Sequence, residues 1–262
     1  MIVGIIPARF ASTRLMGKPL ADICGKPMIQ HTWLNARKSK LLDKIVIAVD
    51  DEKVYSVAKD FGAEVYMTPK DVASGSDRIA LVTEKLGEAS IVVNIQGDEP
   101  FIKGKMIDEA IEPLLFDKKV SLSTLAKRIT SVEEMKSASV VKVVFDYNNY
   151  ALYFSRSPIP FVRDARTNLE RIESGEIYKH IGLYVYRRDA LLKFTSIKPT
   201  DLEKIEKLEQ LRFLEHGFKI KIVVTEHDSL SVDTPKDLEI ARKYFEKLFN
   251  NNEKAFRKQG NR

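Results

Sequence analysis

Two stretches of the chain end apolar runs in residues able to hold an anion and a metal ion. Residues 5–20, "IIPARFASTRLMGKPL", bring Arg9, Arg14 and Lys18 together within ten residues, interleaved with small side chains. Ala8, Ala11, Ser12 and Gly17 leave backbone N–H groups open to close approach. Arg9 can fork onto two phosphate oxygens, while Lys18 acts as a point charge. The stretch is neither a dinucleotide fingerprint nor a P-loop, because Pro19 follows Lys18; without a ligand it reads as a solvated basic loop. Residues 92–102, "VVNIQGDEPFI", then present Gln96, Gly97, Asp98 and Glu99 in succession. Asp98 suits Mg²⁺, which takes one or two carboxylates together with substrate phosphates. Gly-Asp before Glu-Pro is equally good turn chemistry.

A second carboxylate comes from "SVDTPKDLE", residues 231–239. Thr234, Pro235 and Asp237 fit a helix cap, a first-position proline and an acid three residues on, so Asp237 reads as structural. Asp233 lies outside that cap and is free to share a cation with Asp98, provided the two strand ends are neighbours. In "ASGSDRIA", residues 73–80, Ser76 or Asp77 can cap a helix, whereas Arg78 in its first turn opposes the dipole. Arg78 therefore answers to a ligand or to a buried carboxylate. The aspartates of "AVDD", residues 48–51, read as helix caps.

On a single helix over 200–216, Leu202, Ile205 and Leu208 form one face, with Glu209 and Arg212 on the same stripe. That pair is either a buried structural ion pair or is aimed at a polar substrate. Gln210 points elsewhere on the wheel. His180, beside Tyr178 and Lys179 at the start of "HIGLYVY", reads as structural. The four histidines and one cysteine make no zinc pattern, and no G-x-S-x-G or Cys/His signature suggests covalent catalysis.

The elements that must carry these residues alternate. Apolar runs at 2–6, 44–49, 64–67 and 90–95 are separated by helical patterns near 27–39, 52–61, 77–86 and 104–115. Strands that are apolar without alternation are buried on both faces, which predicts an α/β fold with a mostly parallel, doubly wound sheet. From about residue 119 to 187 the strand-like runs 120–128, 140–146, 150–154 and 180–187 predict an inserted antiparallel portion that serves dimerisation. "DYNNYALYF" supplies a hairpin turn at Asn148-Asn149, and residues 157–178 read as a long loop. A helix over 200–216, a strand over 219–225 and a helix over 235–249 return to α/β. Residues 1–246 thus form one domain, and 247–262 a basic, disordered tail.

The net charge is +6, yet residues 250–262 hold four cations and one anion, half of that excess. The modest remainder argues against a nucleic-acid binder. No apolar run approaches the roughly 20 residues that cross a bilayer. The apolar N-terminus lacks a signal peptide's basic region and cleavage site, so a cytoplasmic protein without a membrane partner is expected.

In this order, "IIPARFASTRLMGKPL", "GKPMIQH", "SGSDR", "VNIQGDEPFI", "ALYFSR", "KHIGLYVYRR", "LEQLR" and "VDTPKDLE" resemble the 3-deoxy-manno-octulosonate cytidylyltransferase (CMP-Kdo synthetase) family over about residues 2 to 240. The resemblance implies a homodimeric nucleotidyltransferase of the nucleotide-diphospho-sugar transferase (GT-A-like) type. Such an enzyme joins CTP to Kdo, giving CMP-Kdo and pyrophosphate for lipopolysaccharide assembly. It implies that Arg9 and Lys18 hold the triphosphate and that Ala8, Ser12, Ser74, Gly75 and Arg78 lie at the nucleotide. Asp98 and Asp233 would bind Mg²⁺, and Arg9, Lys18 and Asp98 would carry the chemistry. Gln96, Arg156, His180, Tyr184, Glu209 and Gln210 would shape the sugar pocket. The chain departs from the family's pattern in having Met16 where proline is usual, "SAS" before "VVKVV", and serine for threonine in "SGSDR". A related acidic sugar, such as an 8-amino analogue or a nonulosonate, is the alternative substrate.

Overall fold

The computed structural model describes residues 1–11, 14–72 and 74–259, with the backbone alone for residue 174 and for 249–259. The chain begins with β1 (Ile2–Ala8), followed by a tight hairpin, β2 (Asp22–Ile23) and β3 (Lys26–Pro27), turning at Cys24 and Gly25. Then α1 (Met28–Ala36), β4 (Lys44–Val49), α2 (Glu52–Asp60), β5 (Glu64–Met67), α3 (Gly75–Lys85), β6 (Ile91–Asn94) and α4 (Gly104–Phe116) alternate as expected. Strands β4 and β5 lie to one side of β1 and β6 to the other, all parallel.

Along these strands alternate residues enter two different cores. Val3, Ile5, Val46 and Val92 pack on one face, and Ile6, Ile47 and Val93 on the other. Burial on both faces explains why the runs lack polar alternation. Because β1 sends its neighbours to opposite sides, a crevice opens beyond the carboxyl ends of β1 and β6, the place where such sheets bind ligands.

After α4 come β7 (Leu122–Arg128), α5 (Val132–Lys136), β8 (Lys142–Phe145), β9 (Ala151–Ser155), α6 (Asn168–Ser174) and β10 (Tyr178–Arg187). The antiparallel portion is built into the main sheet rather than set apart from it. Strand β10 runs antiparallel between β6 and β7 and, with β11 (Lys221–Val224) at the edge, gives the order β11-β7-β10-β6-β1-β4-β5, and only the β8–β9 hairpin branches off. Its turn is held by Asp146, whose Oδ1 accepts from the backbone of Asn148 and Tyr150.

The chain closes with α7 (Arg188–Thr195), α8 (Asp201–Glu206), α9 (Gln210–Glu215), β11 (Lys221–Val224) and α10 (Pro235–Gln259). Two expectations change here. The single helix over 200–216 is two helices, broken where Lys207 adopts a left-handed backbone at φ 54°. The break resets the wheel: Leu202 and Ile205 are 36 % and 76 % exposed, whereas Leu208 and Leu211 are buried. Helix α10 runs to Gln259, past the expected end at 249. Glu253, Lys254, Ala255, Arg257, Lys258 and Gln259 are good helix formers, so a polar composition did not preclude a helix. Residues 260–262 lie outside the described residues.

Candidate active site

The basic loop leaves β1 at the crevice and folds back on itself. Gly17, at φ 66°, donates its N–H to the Phe10 carbonyl at 3.1 Å, and Leu20 donates to the Gly17 carbonyl at 2.8 Å. Gly17 supplies the left-handed turn at no steric cost. The loop lines a cavity of about 330 Å³ with Ala8, Arg9, Ala11, Arg14 and Lys18 on one side and Gly75, Gln96, Gly97 and Asp98 on the other. Arg9 Nη2 is buried there with no hydrogen-bond partner among the described residues. A buried guanidinium nitrogen without an acceptor is costly, and an anion would satisfy it. Ser12 lies outside the described residues.

Asp98 lines this cavity, and Asp233 is brought beside it through Lys18, meeting the condition the sequence reading leaves open. Lys18 Nζ sits between them, 2.5 Å from Asp98 Oδ2 and 2.8 Å from Asp233 Oδ1. Burial alone would lower the Lys18 ammonium, but the two carboxylates outweigh it and hold the group above its ordinary value. Arg14 also reaches Asp233 Oδ1, at 3.2 Å, which gives it a contact the sequence did not suggest. Met16 is 73 % exposed, so the change from proline removes no packing.

The carboxylates are positioned by different means. The Asp98 carbonyl accepts from the Val232 N–H at 2.9 Å, tying the two segments together. Thr234 and Asp237 form the expected reciprocal cap of α10, and Asp237 Oδ2 also takes the Asp233 N–H at 3.2 Å. Next to Asp98, Glu99 receives the Ser229 hydroxyl. Burial, aided by the carboxylates of Asp98, Asp228 and Asp233, raises Glu99 to about 7 against that hydrogen bond.

Among the described residues no three His, Cys, Asp or Glu side chains gather to hold a metal by themselves. Asp98 and Asp233 supply two hard oxygen donors beside an anion cavity. That donor set fits Mg²⁺, whose remaining positions go to water and phosphate.

Asp50 was missed as a functional residue. Asp51 is the cap of α2, its Oδ1 accepting from Lys53 N at 2.8 Å. Asp50 is buried, receives the Phe10 N–H at 2.9 Å on Oδ1, and pairs through Oδ2 with Arg78 Nη2 at 3.0 Å. The sequence signalled only that one acid was spare, not which: two aspartates stood where one cap was needed. Arg78 answers to this buried carboxylate. It is fully buried and also donates to Thr68 Oγ1 and the Pro69 carbonyl. Burial pushes Arg78 below its ordinary value, Asp50 opposes that, and Arg9 close by adds to it. The cap of α3 is Ser74, not Ser76 or Asp77; its Oγ accepts from Asp77 N at 3.1 Å.

A second cavity, about 380 Å³, adjoins the first through Gly75 and Gln96, which line both. It gathers all six residues assigned to the sugar: Gln96, Arg156, His180, Tyr184, Glu209 and Gln210. Ser76 Oγ donates to Glu209 Oε2 at 2.8 Å, and burial raises the Glu209 carboxyl against that bond and against Arg212. Of the two readings left open for Glu209 and Arg212, the mutual ion pair is not formed, and Glu209 lines the cavity. Arg212 grips Glu203 with Nε at 2.7 Å and Nη2 at 2.5 Å, because the break at Lys207 turns α9 relative to α8. His180 Nε2 lies 3.0 Å from Thr124 Oγ1, and burial drives the ring down to about 3, keeping it neutral. The Tyr184 hydroxyl is buried without a partner among the described residues. Asn94, Lys207 and Tyr186 also line this cavity, and nothing in their sequence spacing singled them out.

The family model for cytidylyltransferases matches residues 3–222. A 3-deoxy-manno-octulosonate cytidylyltransferase of Geobacter sulfurreducens is 52 % identical over 251 residues, covering 94 % of this chain and 99 % of that protein. One of Thermodesulfovibrio yellowstonii is 47 % identical over 246 residues, covering 91 % and 96 %. Among solved structures, a CMP:2-keto-3-deoxy-manno-octonic acid synthetase complexed with CTP superposes with a TM-score of 0.87 at 39 % identity, covering 94 % of this chain and 98 % of that one. A cytidylyltransferase of Leptospira borgpetersenii, at 17 % identity and a TM-score of 0.61, shares the fold over 92 % of this chain and 84 % of its own.

Proposed function

This chain belongs to the 3-deoxy-manno-octulosonate cytidylyltransferase family, and we propose that it transfers CMP from CTP to the anomeric hydroxyl of Kdo, releasing pyrophosphate. The observation that carries this reading is the junction of the two cavities at Gly75 and Gln96, with Lys18, Asp98 and Asp233 on the anion side. A triphosphate and a polyhydroxylated acid lying in adjoining cavities would bring an oxygen nucleophile up to a phosphorus atom. Positioning and charge neutralisation carry most of such a transfer.

The chain's own groups divide the work. Arg9 Nη2 takes a phosphate oxygen, and Asp50 fixes the loop that presents it. Lys18 holds the two aspartates together and passes to the phosphates as the nucleotide enters, offsetting charge on the departing pyrophosphate. Arg78 acts through Asp50 on that loop. Ser74 and Gly75 start α3 at the edge of the nucleotide cavity. Asp98 and Asp233 would hold Mg²⁺. When bound, the ion supplies charge neutralisation at the phosphates and acidifies the attacking hydroxyl.

Asn94, Gln96, Glu209 and Gln210 offer hydrogen bonds to sugar hydroxyls, and neutral His180 and the Tyr184 hydroxyl complete the wall. A homodimer would cover Leu152, 62 % exposed on β9, and Phe161 in the loop that follows. No helix among the described residues is long and apolar enough to cross a membrane. Use of CTP suits a cytoplasmic enzyme that supplies lipopolysaccharide assembly.

Pyrophosphate release from CTP, Mg²⁺ and Kdo tests the reading, with an 8-amino analogue and a nonulosonate beside it. Turnover with Kdo well above the other two is expected. Its absence with all three would overturn the assignment.

A further inference from the structure

The two carboxylates that would hold the metal ion stand on segments of different kinds. Asp98 sits in the turn after β6, where the Glu99 N–H donates to the Gln96 carbonyl at 3.2 Å and the Ile102 N–H to the Glu99 carbonyl at 3.1 Å. Asp233 stands near the end of a strap, residues 225–234, that crosses from β11 to α10 without helix or strand. A segment with no hydrogen-bond ladder of its own takes its position from the groups it meets. Thr225 gives its N–H to the Ala126 carbonyl at 2.9 Å and its hydroxyl to Glu109 Oε2 at 2.6 Å. The Lys127 and Lys179 ammonium groups each reach Asp228 at 3.1 Å. These ties seat the first half of the strap on α4, β7 and β10.

The second half is tied to the turn that carries Asp98. Among the described residues two hydrogen bonds join them: the Val232 N–H donates to the Asp98 carbonyl at 2.9 Å, and the Ser229 hydroxyl donates to Glu99 Oε2. A single bond leaves two segments free to pivot about it, and a second one, from nearby residues of both, removes that freedom. Neither Ser229 nor Glu99 lines the anion cavity, so neither is placed to touch a phosphate. The Ser229 side chain has no part in the cap of α10 either, which Thr234 and Asp237 complete.

We propose that Ser229 and Glu99 are positioning residues of the metal site: their hydrogen bond is a clasp that fixes Asp233 relative to Asp98. The proposal rests on the reading of those aspartates as the Mg²⁺ carboxylates and extends it to two side chains that do not touch the ion. Mg²⁺ takes oxygens at short distances in near-ideal octahedral geometry, so two carboxylates of loose separation hold it poorly. Lys18 bridges the pair in the free protein. When Lys18 passes to the phosphates, the clasp keeps the separation.

The test is metal binding without nucleotide. Wild type, Ser229→Ala, Ser229→Thr, Glu99→Leu and Glu99→Leu/Ser229→Ala are titrated with Mn²⁺ at one pH and read by paramagnetic relaxation of water. Ser229→Ala removes the donor and changes no charge. A loss of about tenfold in Mn²⁺ affinity is expected, the size typical when an outer partner of a metal ligand is removed. Ser229→Thr keeps the hydroxyl and should recover wild-type affinity to within about twofold. In the Glu99→Leu background Ser229→Ala should cost nothing further, since the clasp is already open. CTP binding in excess EDTA reads the Arg9 side of the site and should move less than about twofold in both Ser229 variants; a general loosening of the fold would weaken it as well. Unchanged Mn²⁺ affinity in Ser229→Ala, a loss that Ser229→Thr does not repair, or a full Ser229→Ala effect in the Glu99→Leu background would overturn the proposal. Wild type that binds no Mn²⁺ would sink the metal reading and the proposal together, whereas wild-type binding with Ser229→Ala unaffected would sink the proposal alone.

Discussion

Asp50 joins Arg78 to the anion loop through the two oxygens of one carboxylate: Oδ1 takes the Phe10 N–H at 2.9 Å and Oδ2 the Arg78 guanidinium at 3.0 Å. The loop thereby inherits the rigidity of β4 and α3, and Arg9, one residue before Phe10, is presented on a fixed backbone. Asp50→Ala should strip the loop of its anchor and leave Arg78 buried without its counter-charge. Breaking a buried pair from one side costs about 3–5 kcal/mol, so a fall in Tm is expected together with a KM for CTP raised at least about tenfold. The double variant Asp50→Leu/Arg78→Met should recover most of the stability and none of the CTP affinity. Recovery of both would show that the pair has no part in presenting the loop. Thermal unfolding and CTP titration separate the two readouts.

Lys18 bridges Asp98 and Asp233, so it competes for the oxygens that would hold the metal ion. Lys18→Met should have two opposite effects. Removing a donor that acts on developing charge lowers kcat by about a hundredfold or more. Freeing two carboxylates should tighten Mn²⁺ binding, Mn²⁺ serving as a probe for Mg²⁺ in the absence of nucleotide, as read by paramagnetic relaxation of water. Lys18→Arg should not restore kcat, because a planar fork does not replace a compact ammonium between two carboxylates. Unchanged Mn²⁺ affinity in Lys18→Met would separate the aspartates from the metal.

His180 makes stability depend on pH in a window set by its burial. The folded ring is driven down to about 3, whereas the unfolded ring titrates at 6.5. Between those values the unfolded chain binds a proton that the folded chain refuses, so stability rises with pH across the window. It is complete above 6.5 and is lost as the pH falls. From pH 6.5 to 5 the loss from this one group is on the order of 2 kcal/mol. Urea unfolding at a series of pH values should show the slope, and His180→Gln, which can still meet Thr124, should reduce it by about one proton's worth. An identical slope in the variant would mean that His180 is protonated within the fold.

Strands buried on both faces were readable because apolar runs need no partner to be recognised. Asp98 was readable because it ends such a run, although it also lies in the turn the sequence offered, and Asp233 because it stood outside the cap of α10. Their adjacency was an assumption of the sequence reading; Asp233 lies well beyond the end of β11, and the Val232 N–H on the Asp98 carbonyl brings the two together. Three features were not readable, each for a tertiary reason. The break at Lys207 contradicts a sequence that scores as continuous helix, and the packing of Leu208 and Leu211 overrides that propensity. The wheel offered Glu209 as one partner for Arg212, and the break invalidates that wheel; the actual partner, Glu203, lies on the other helix. Asp50 was hidden by Asp51, since local cap chemistry cannot say which of two adjacent acids is turned inward.

Gly97 sets the distance between the two halves of the anion site. A Cβ there would stand 2.6 Å from the Pro7 carbonyl oxygen, closer than real Cβ contacts come, and the obstacle is backbone rather than a side chain that could turn away. Its φ lies outside the left-handed region, so the constraint is one of space alone. The turn that delivers Asp98 can approach the end of β1 only because residue 97 lacks a side chain, and Thr32 Oγ1 donates to the Gly97 carbonyl at 3.2 Å, limiting retreat. Gly97→Ala should therefore push the 96–98 turn away from β1, displacing Asp98 from Lys18 and Gln96 from the junction of the two cavities. Overpacking of this kind costs about 1–3 kcal/mol in stability. A shift of about 1 Å at the reacting centre costs about a hundredfold in rate, so activity should fall further than stability. Gly75, where a Cβ would meet only Pro7 Cγ at 3.9 Å, is the control: Gly75→Ala should leave stability within about 1 kcal/mol. Normal kcat/KM in Gly97→Ala, with an unshifted Tm, would show that the turn can move without disturbing the site.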